Sequence, residues 1–154
     1  MQYHEIGKTG MKVFFPQFRS FFFGRGFPRY QRKRRHHSRI HSNRIRHQLH
    51  RCIPYYGHYK AETVLGKALK DIPRDRYYLS TKVGRYGKDG VNTWDYSAKR
   101  ATESVYESME RLNIDFIDLI NVHDIEFADL NQVVNETLPA LVELREKGVV
   151  GHVG

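Results

Sequence analysis

The chain has a single cysteine, Cys52, so no disulfide framework can form, and one thiolate does not make a zinc site. It has no apolar run of about 18 residues, which excludes a membrane-spanning helix. The first residues lack the basic, then apolar, then small-residue order of a secretory leader, so a reducing, cytoplasmic setting is the expectation. At 154 residues it falls short of two large domains, and of a complete eight-fold α/β barrel of roughly 250 residues.

The most telling absence is local. Residues 14–53 contain no Asp or Glu, and no Ala, Val or Thr, yet they hold 11 of the 26 Lys and Arg, five of the nine His and seven of the nine Phe. The overall charge of +9 is therefore not a property of the whole chain, because the other residues carry 15 basic against 17 acidic side chains. Outside 14–53 the composition is that of an ordinary enzyme surface. Inside it, like charges repel without a carboxylate, and the bunched Phe follow no period of 2 or 3.6, so this stretch is expected to be poorly ordered.

From Pro54 onward the sequence alternates between helical and strand patterns. Glu62 to Ile72 places Val64, Leu65, Ala68, Leu69 and Ile72 at three- and four-residue spacings, one face of a helix stopped by Pro73. Tyr77 to Val83 is β-prone. Ser97 offers an N-cap for a helix through Leu112. Asp115 to Val122 is a mostly apolar strand, and Leu130 to Lys147 an amphipathic helix that Pro139 delays or kinks. Val149 to Val153 begins another strand. Strands alternating with helices imply crossovers and a parallel sheet, hence the α/β class.

In such sheets chemistry collects just beyond the carboxyl ends of the strands. Lys82 closes YYLSTK, His123 follows DFIDLINV, and Tyr56 in PYYG precedes the first helix. Each also has a plain structural reading: a solvated strand-end lysine, a hydrogen-bonded histidine and a turn aromatic.

Taken together, PYYG, LSTKVGRY, SMERLNIDFIDLINVHDIEF and KGVVGHVG resemble the aldo-keto reductases, most closely their L-galactose dehydrogenase branch. The opening MQYHEIGKTGMKV is similar to the hairpin with which that family begins. The resemblance covers residues 1–13 and 54–154. It implies the N-terminal half of a (β/α)8 TIM barrel and an NAD- or NADP-dependent oxidoreductase passing hydride between a nicotinamide and a sugar or other carbonyl carbon. By the same resemblance Tyr56 is the general acid or base, Lys82 lowers its pKa and His123 orients the carbonyl. The family's Asp, which pairs with the Lys, falls at Arg51. The cofactor-binding residues are not identified, and no metal is implied.

The physical logic runs beside the name. A phenol near pKa 10 is a poor acid or base at neutral pH, and a nearby ammonium stabilises its phenolate. A carboxylate beside that ammonium keeps it charged. With Arg51 there instead, and with the last barrel strands expected beyond Gly154, the chain as written is expected to be inactive.

Residues 14–53 read as a coding sequence translated out of frame. Taking the last two bases of each codon with the first of the next permits AIELGINFID over Ser42 to Arg51, with Asp falling at Arg51. The same register permits a family-like string over Phe14 to His36. One extra base near Val13 and one lost base near Ile53 account for both ends. This gives three parts: 1–13, a family-like hairpin; 14–53, an aberrant basic segment; and 54–154, a partial barrel. The rival reading is non-catalytic nucleic-acid binding through residues 31–51, where Arg and Lys neutralise phosphates without sequence preference.

Overall fold

The computed structural model describes residues 3–14, 18–19, 48–55, 57–88 and 91–154. The chain opens with an antiparallel hairpin, β1 (Tyr3–Glu5) and β2 (Lys12–Phe14), in which Tyr3 faces Phe14 and Glu5 faces Lys12. Its turn is tied by Ile6 N donating to Met11 O at 3.0 Å and by Gly10 N donating to Glu5 Oε1 at 3.0 Å. Met11 and Val13 are buried, so the hairpin is anchored by its apolar side chains.

Five strands make one parallel sheet in the order β3-β4-β5-β8-β9. They are β3 (Phe18–Arg19), β4 (Gln48–Arg51), β5 (Tyr77–Val83), β8 (Ile117–Val122) and β9 (Val150–Val153). Spatial order follows chain order, with α1 (Lys60–Leu69) between β4 and β5 and α2 (Ala98–Leu112) between β5 and β8. The connection from β8 to β9 is α3 (Leu130–Gln132), a π-helical turn (Val133–Thr137) and α4 (Leu138–Glu146). β6 (Arg85–Lys88) and β7 (Val91–Trp94) form a separate antiparallel hairpin after β5.

The stretch set apart by its composition thus ends inside the sheet. Gln48–Arg51 pairs with Tyr77 to Ser80, and Leu49, His50, Cys52 and Ile53 are buried. Pairing with an adjacent strand and burial on both faces outweigh the basic composition there. The nucleic-acid reading loses its last residues, 48–51, to this strand. Residues 20–47, which hold most of that basic run and most of the stretch read as out of frame, lie outside the described residues.

Two apolar clusters join helices to sheet. Cys52, Ala61, Leu65, Leu69, Tyr77, Leu79 and Leu112 pack where α1 meets β5 and the end of α2. Val83, Ala101, Val105, Ile117, Ile120, Leu141, Leu144 and Val150 pack α2 and α4 on β5, β8 and β9. Each fully buried aliphatic side chain contributes on the order of 1.5–3 kcal/mol. Ser97 caps α2 by accepting from Arg100 N at 3.2 Å, and Asn113 ends it in the left-handed region.

Polar groups bind the same layers. Glu62 of α1 is fully buried. Its Oε1 accepts from Thr81 Oγ1 of β5 at 2.7 Å and its Oε2 from Arg111 Nε of α2 at 2.7 Å. At the amino edge, Asp118 Oδ2 accepts from Leu79 N at 2.7 Å and pairs with Arg74, which also donates to the carbonyls of Tyr77 and Phe116. The Asp118 and Arg74 contacts lie at the end of the sheet opposite the carboxyl edge and serve stability.

Candidate active site

Two strands bring Lys82 and His123 to one edge. Lys82 is the penultimate residue of β5 and His123 directly follows β8. In the parallel register Lys82 faces Asn121 and Val83 faces Val122, and His123 N continues the ladder by donating to Val83 O at 2.8 Å. Arg51 ends β4 on the opposite side of β5, facing Ser80, and Cys52 N donates to Ser80 O at 2.8 Å. Three consecutive strands of the sheet therefore carry Arg51, Lys82 and His123 at or just past their carboxyl ends. Tyr56 lies outside the described residues. Its neighbour Tyr55 carries the Arg85 guanidinium 4.0 Å above its ring centroid.

The turn after β8 is held from several sides. Asp124 adopts a left-handed backbone, φ 49°. The buried Tyr96 hydroxyl lies 2.8 Å from the carbonyl oxygens of both His123 and Asp124 and donates to them. Burial, reinforced by the charges of Asp124 and Glu126, pushes the Tyr96 phenol up to about 12, so it remains a donor at any physiological pH. Asp124 divides its oxygens: Oδ2 meets Arg85 Nη1 at 2.5 Å and Oδ1 lies 3.1 Å from His123 Nε2. Gly84, at φ 103°, turns the chain away from β5 against the face of the Tyr96 ring, which leaves no space for a side chain.

Electrostatics set both nitrogen bases toward their neutral forms. Burial lowers the Lys82 ammonium pKa and the Arg51 charge lowers it further, while Asp124 and Glu126 act in the opposite sense. Burial, then the Lys82 charge, takes His123 down to about 4, so its imidazole is neutral near pH 7. His123 Nδ1 is buried and has no hydrogen-bond partner among the described residues. A neutral imidazole keeps one ring N–H, and an N–H at this edge beside a half-buried amine can donate to and polarise a carbonyl oxygen.

The sequence pattern does not expose Arg85, Tyr96 or Asp124, which fix this turn. One signal was available for the hairpin that carries Arg85: the Asp89-Gly90 pair between β-prone runs marks a tight turn. No group of three or more His, Cys, Asp or Glu that could hold a metal ion occurs among the described residues. For a dinucleotide the donor set fits the carbonyl end only, because no glycine-rich turn opens a helix as a phosphate cradle among the described residues.

The aldo/keto reductase pattern matches residues 52–154. The chain belongs to the aldo/keto reductase family. Over 103 residues it is 47% identical to the L-galactose dehydrogenase of Arabidopsis thaliana, covering 66% of this chain and 31% of that protein. It is 39% identical over 105 residues to the D-arabinose 1-dehydrogenase of Saccharomyces cerevisiae, covering 66% of this chain and 30% of that protein. Among solved structures, an aldo-keto reductase of Bacillus halodurans in its holo form superposes with a TM-score of 0.77 at 26% identity, covering 100% of this chain and 50% of that one. The chain spans about a third of the length of these curated relatives. Its parallel sheet is thus part of the family's (β/α)8 barrel, and the carboxyl edge bearing Lys82 and His123 is the edge on which barrel chemistry collects. No helix among the described residues is long and apolar enough to cross a membrane.

Proposed function

We propose that the site is that of a cytoplasmic NAD- or NADP-dependent aldose dehydrogenase of the L-galactose dehydrogenase type, and that the chain as written does not turn over. The observation that carries the first part is the placement of Lys82 and His123 on adjacent strand ends, joined through the His123 N to Val83 O bond. Tyr56 is the proton donor or acceptor in this reading. A nicotinamide, when bound, would supply or take the hydride. His123, kept neutral by burial and by the Lys82 charge, holds the carbonyl oxygen, and Lys82 in its charged form favours the Tyr56 phenolate. The turn locked by Tyr96 and Arg85 keeps His123 in place while the substrate changes from alcohol to carbonyl.

The second part rests on Arg51. Its guanidinium stands where a carboxylate would hold Lys82 charged, and it acts on Lys82 in the opposite sense. Residues 14–53 are in this reading the product of a shifted frame, with 1–13 and 54–154 the barrel remnant. A transcript with an unshifted frame over those codons supports this, and one that cannot yield the family string sinks it.

The test separates the two parts. Residues 52–154, grafted into the Arabidopsis L-galactose dehydrogenase in place of its matched segment, should sustain oxidation of L-galactose followed by nicotinamide absorbance. In that graft Tyr56→Phe or Lys82→Met should lower kcat on the order of 100- to 10,000-fold. A graft whose turnover is indifferent to both changes refutes the assignment. The chain itself should show no turnover above its Tyr56→Phe control, with or without Arg51→Asp, and measurable turnover refutes the inactivity.

A further inference from the structure

Arg51 changes what the lysine beside it can do. Lys82 is half-buried at the carboxyl end of β5, between the β4 end that carries Arg51 and the β8 end that carries His123. The carboxylates that face it, Asp124 and Glu126, both come from the turn after β8, and Asp124 is already engaged by Arg85 at 2.5 Å and by His123 at 3.1 Å. No carboxylate faces it from β4. A lysine that is partly desolvated and set against other nitrogen bases loses its proton more readily than one in water, and the free amine is a nucleophile toward carbonyl carbons. His123 Nδ1, at the same edge, is buried and has no hydrogen-bond partner among the described residues, and the imidazole interacts with the Lys82 charge.

We infer that Lys82 forms a covalent imine with small aldehydes, a carbonyl-capturing activity separate from hydride transfer. The amine nitrogen adds to the carbonyl carbon, the carbonyl π pair moves to oxygen, and the nitrogen's proton is passed to that oxygen directly or through His123 or water. The carbinolamine hydroxyl then takes up a second proton from water, its C–O bond breaks as it leaves as water, the nitrogen lone pair closes the C=N bond, and the remaining N–H proton is released to water in place of the one taken up. Amine and aldehyde give imine and water, with no change of oxidation state. The same burial and Arg51 charge that disfavour an ammonium favour this adduct. Neither nicotinamide nor Tyr56 takes part, so the dehydrogenase assay and the imine can fail independently.

The full chain is treated with glyceraldehyde and cyanoborohydride near neutral pH, which reduces any imine to a stable secondary amine, and the modified lysines are mapped by peptide mass spectrometry. Lys99, whose side chain is 86% exposed, serves as the internal reference. Lys82 should be alkylated on the order of tenfold faster than Lys99. That preference should vanish in urea and should fall to parity or below in Arg51→Asp. Alkylation of Lys82 no faster than Lys99 in the folded chain overturns the inference without recourse to any variant. A preference that survives urea, or that survives Arg51→Asp in a folded variant, overturns it as well.

Discussion

Thr81 Oγ1 donates to Glu62 Oε1 at 2.7 Å, and both side chains are completely shielded from solvent. The bond ties α1 to β5 at the residue before Lys82. The other Glu62 oxygen accepts from Arg111 Nε at 2.7 Å, and Arg111 also reaches Glu107 at 3.4 Å and Ser108 at 3.2 Å. A buried carboxylate persists only when its lone pairs are taken, so the cost of disturbing it depends on what is left unpaired.

Thr81→Val should cost about 1–3 kcal/mol, since it leaves one carboxylate oxygen unsatisfied. Glu62→Ala should cost about 3–5 kcal/mol, because it opens a cavity and strips Arg111 of its buried partner. The double change Glu62→Met with Arg111→Met should cost less than Glu62→Ala alone, as apolar side chains then fill the space of both charges. Urea titrations of the variants check the ranking. If the double variant is the least stable, the desolvation argument fails.

Gly66 sits inside α1, where helix propensity alone favours alanine by about 1 kcal/mol. A Cβ at this position would lie 2.7 Å from the carbonyl oxygens of both Arg111 and Leu112, backbone atoms that cannot rotate away. The close approach of α1 to the end of α2 therefore depends on the missing side chain. Gly66→Ala should destabilise the chain by about 1–3 kcal/mol, opposite in sign to the propensity argument. A thermal midpoint equal to or above that of the parent chain would show that the two helices can separate at no cost.

The parts of the fold that were legible in the sequence are those in which local chemistry and tertiary packing agree. Tyr77–Val83 is a strand with the bounds its β-prone run suggests, and Ser97 caps α2 as its position before an apolar period implies. The first helix stops at Leu69, short of Ile72, because Ile72 N turns back to Leu69 O and its side chain joins the apolar cluster. The third helix departs from a uniform period for a backbone reason. Pro139 has no N–H to give, and the turn before it widens so that Leu138 N reaches Val133 O.

Strand β4 was hidden because its signal is carried by its neighbour. QLHR has no apolar alternation beyond Leu49, and only the ladder to Tyr77 through Ser80 makes it a strand. The candidate site divides in the same way. Lys82 and His123 stand at strand ends, where periodicity can find them. Tyr96, Arg85 and Asp124 act through contacts 27 to 39 residues apart in sequence, and no local pattern marks such pairs.

Acid should weaken the fold through its buried histidines. His50, in β4 with its ring at 82° to that of Tyr77, is lowered by burial from 6.5 to about 4, and His123 is lowered to about 4 by burial and the Lys82 charge. In the unfolded chain both regain ordinary values near 6.5, so between pH 6.5 and 4 the unfolded state binds more protons than the folded state. Stability therefore falls as pH drops through this window, and these two groups add no further loss below about 4. For His50, whose shift has burial as its one cause, the full loss is on the order of 3 kcal/mol. His50→Gln removes a titrating group, so its urea midpoint should fall less steeply between those pH limits than that of the parent chain, whatever its stability at neutral pH. A parent midpoint that is flat across the window, or an equal slope in His50→Gln, would mean that the His50 ring is already protonated or solvated in the fold.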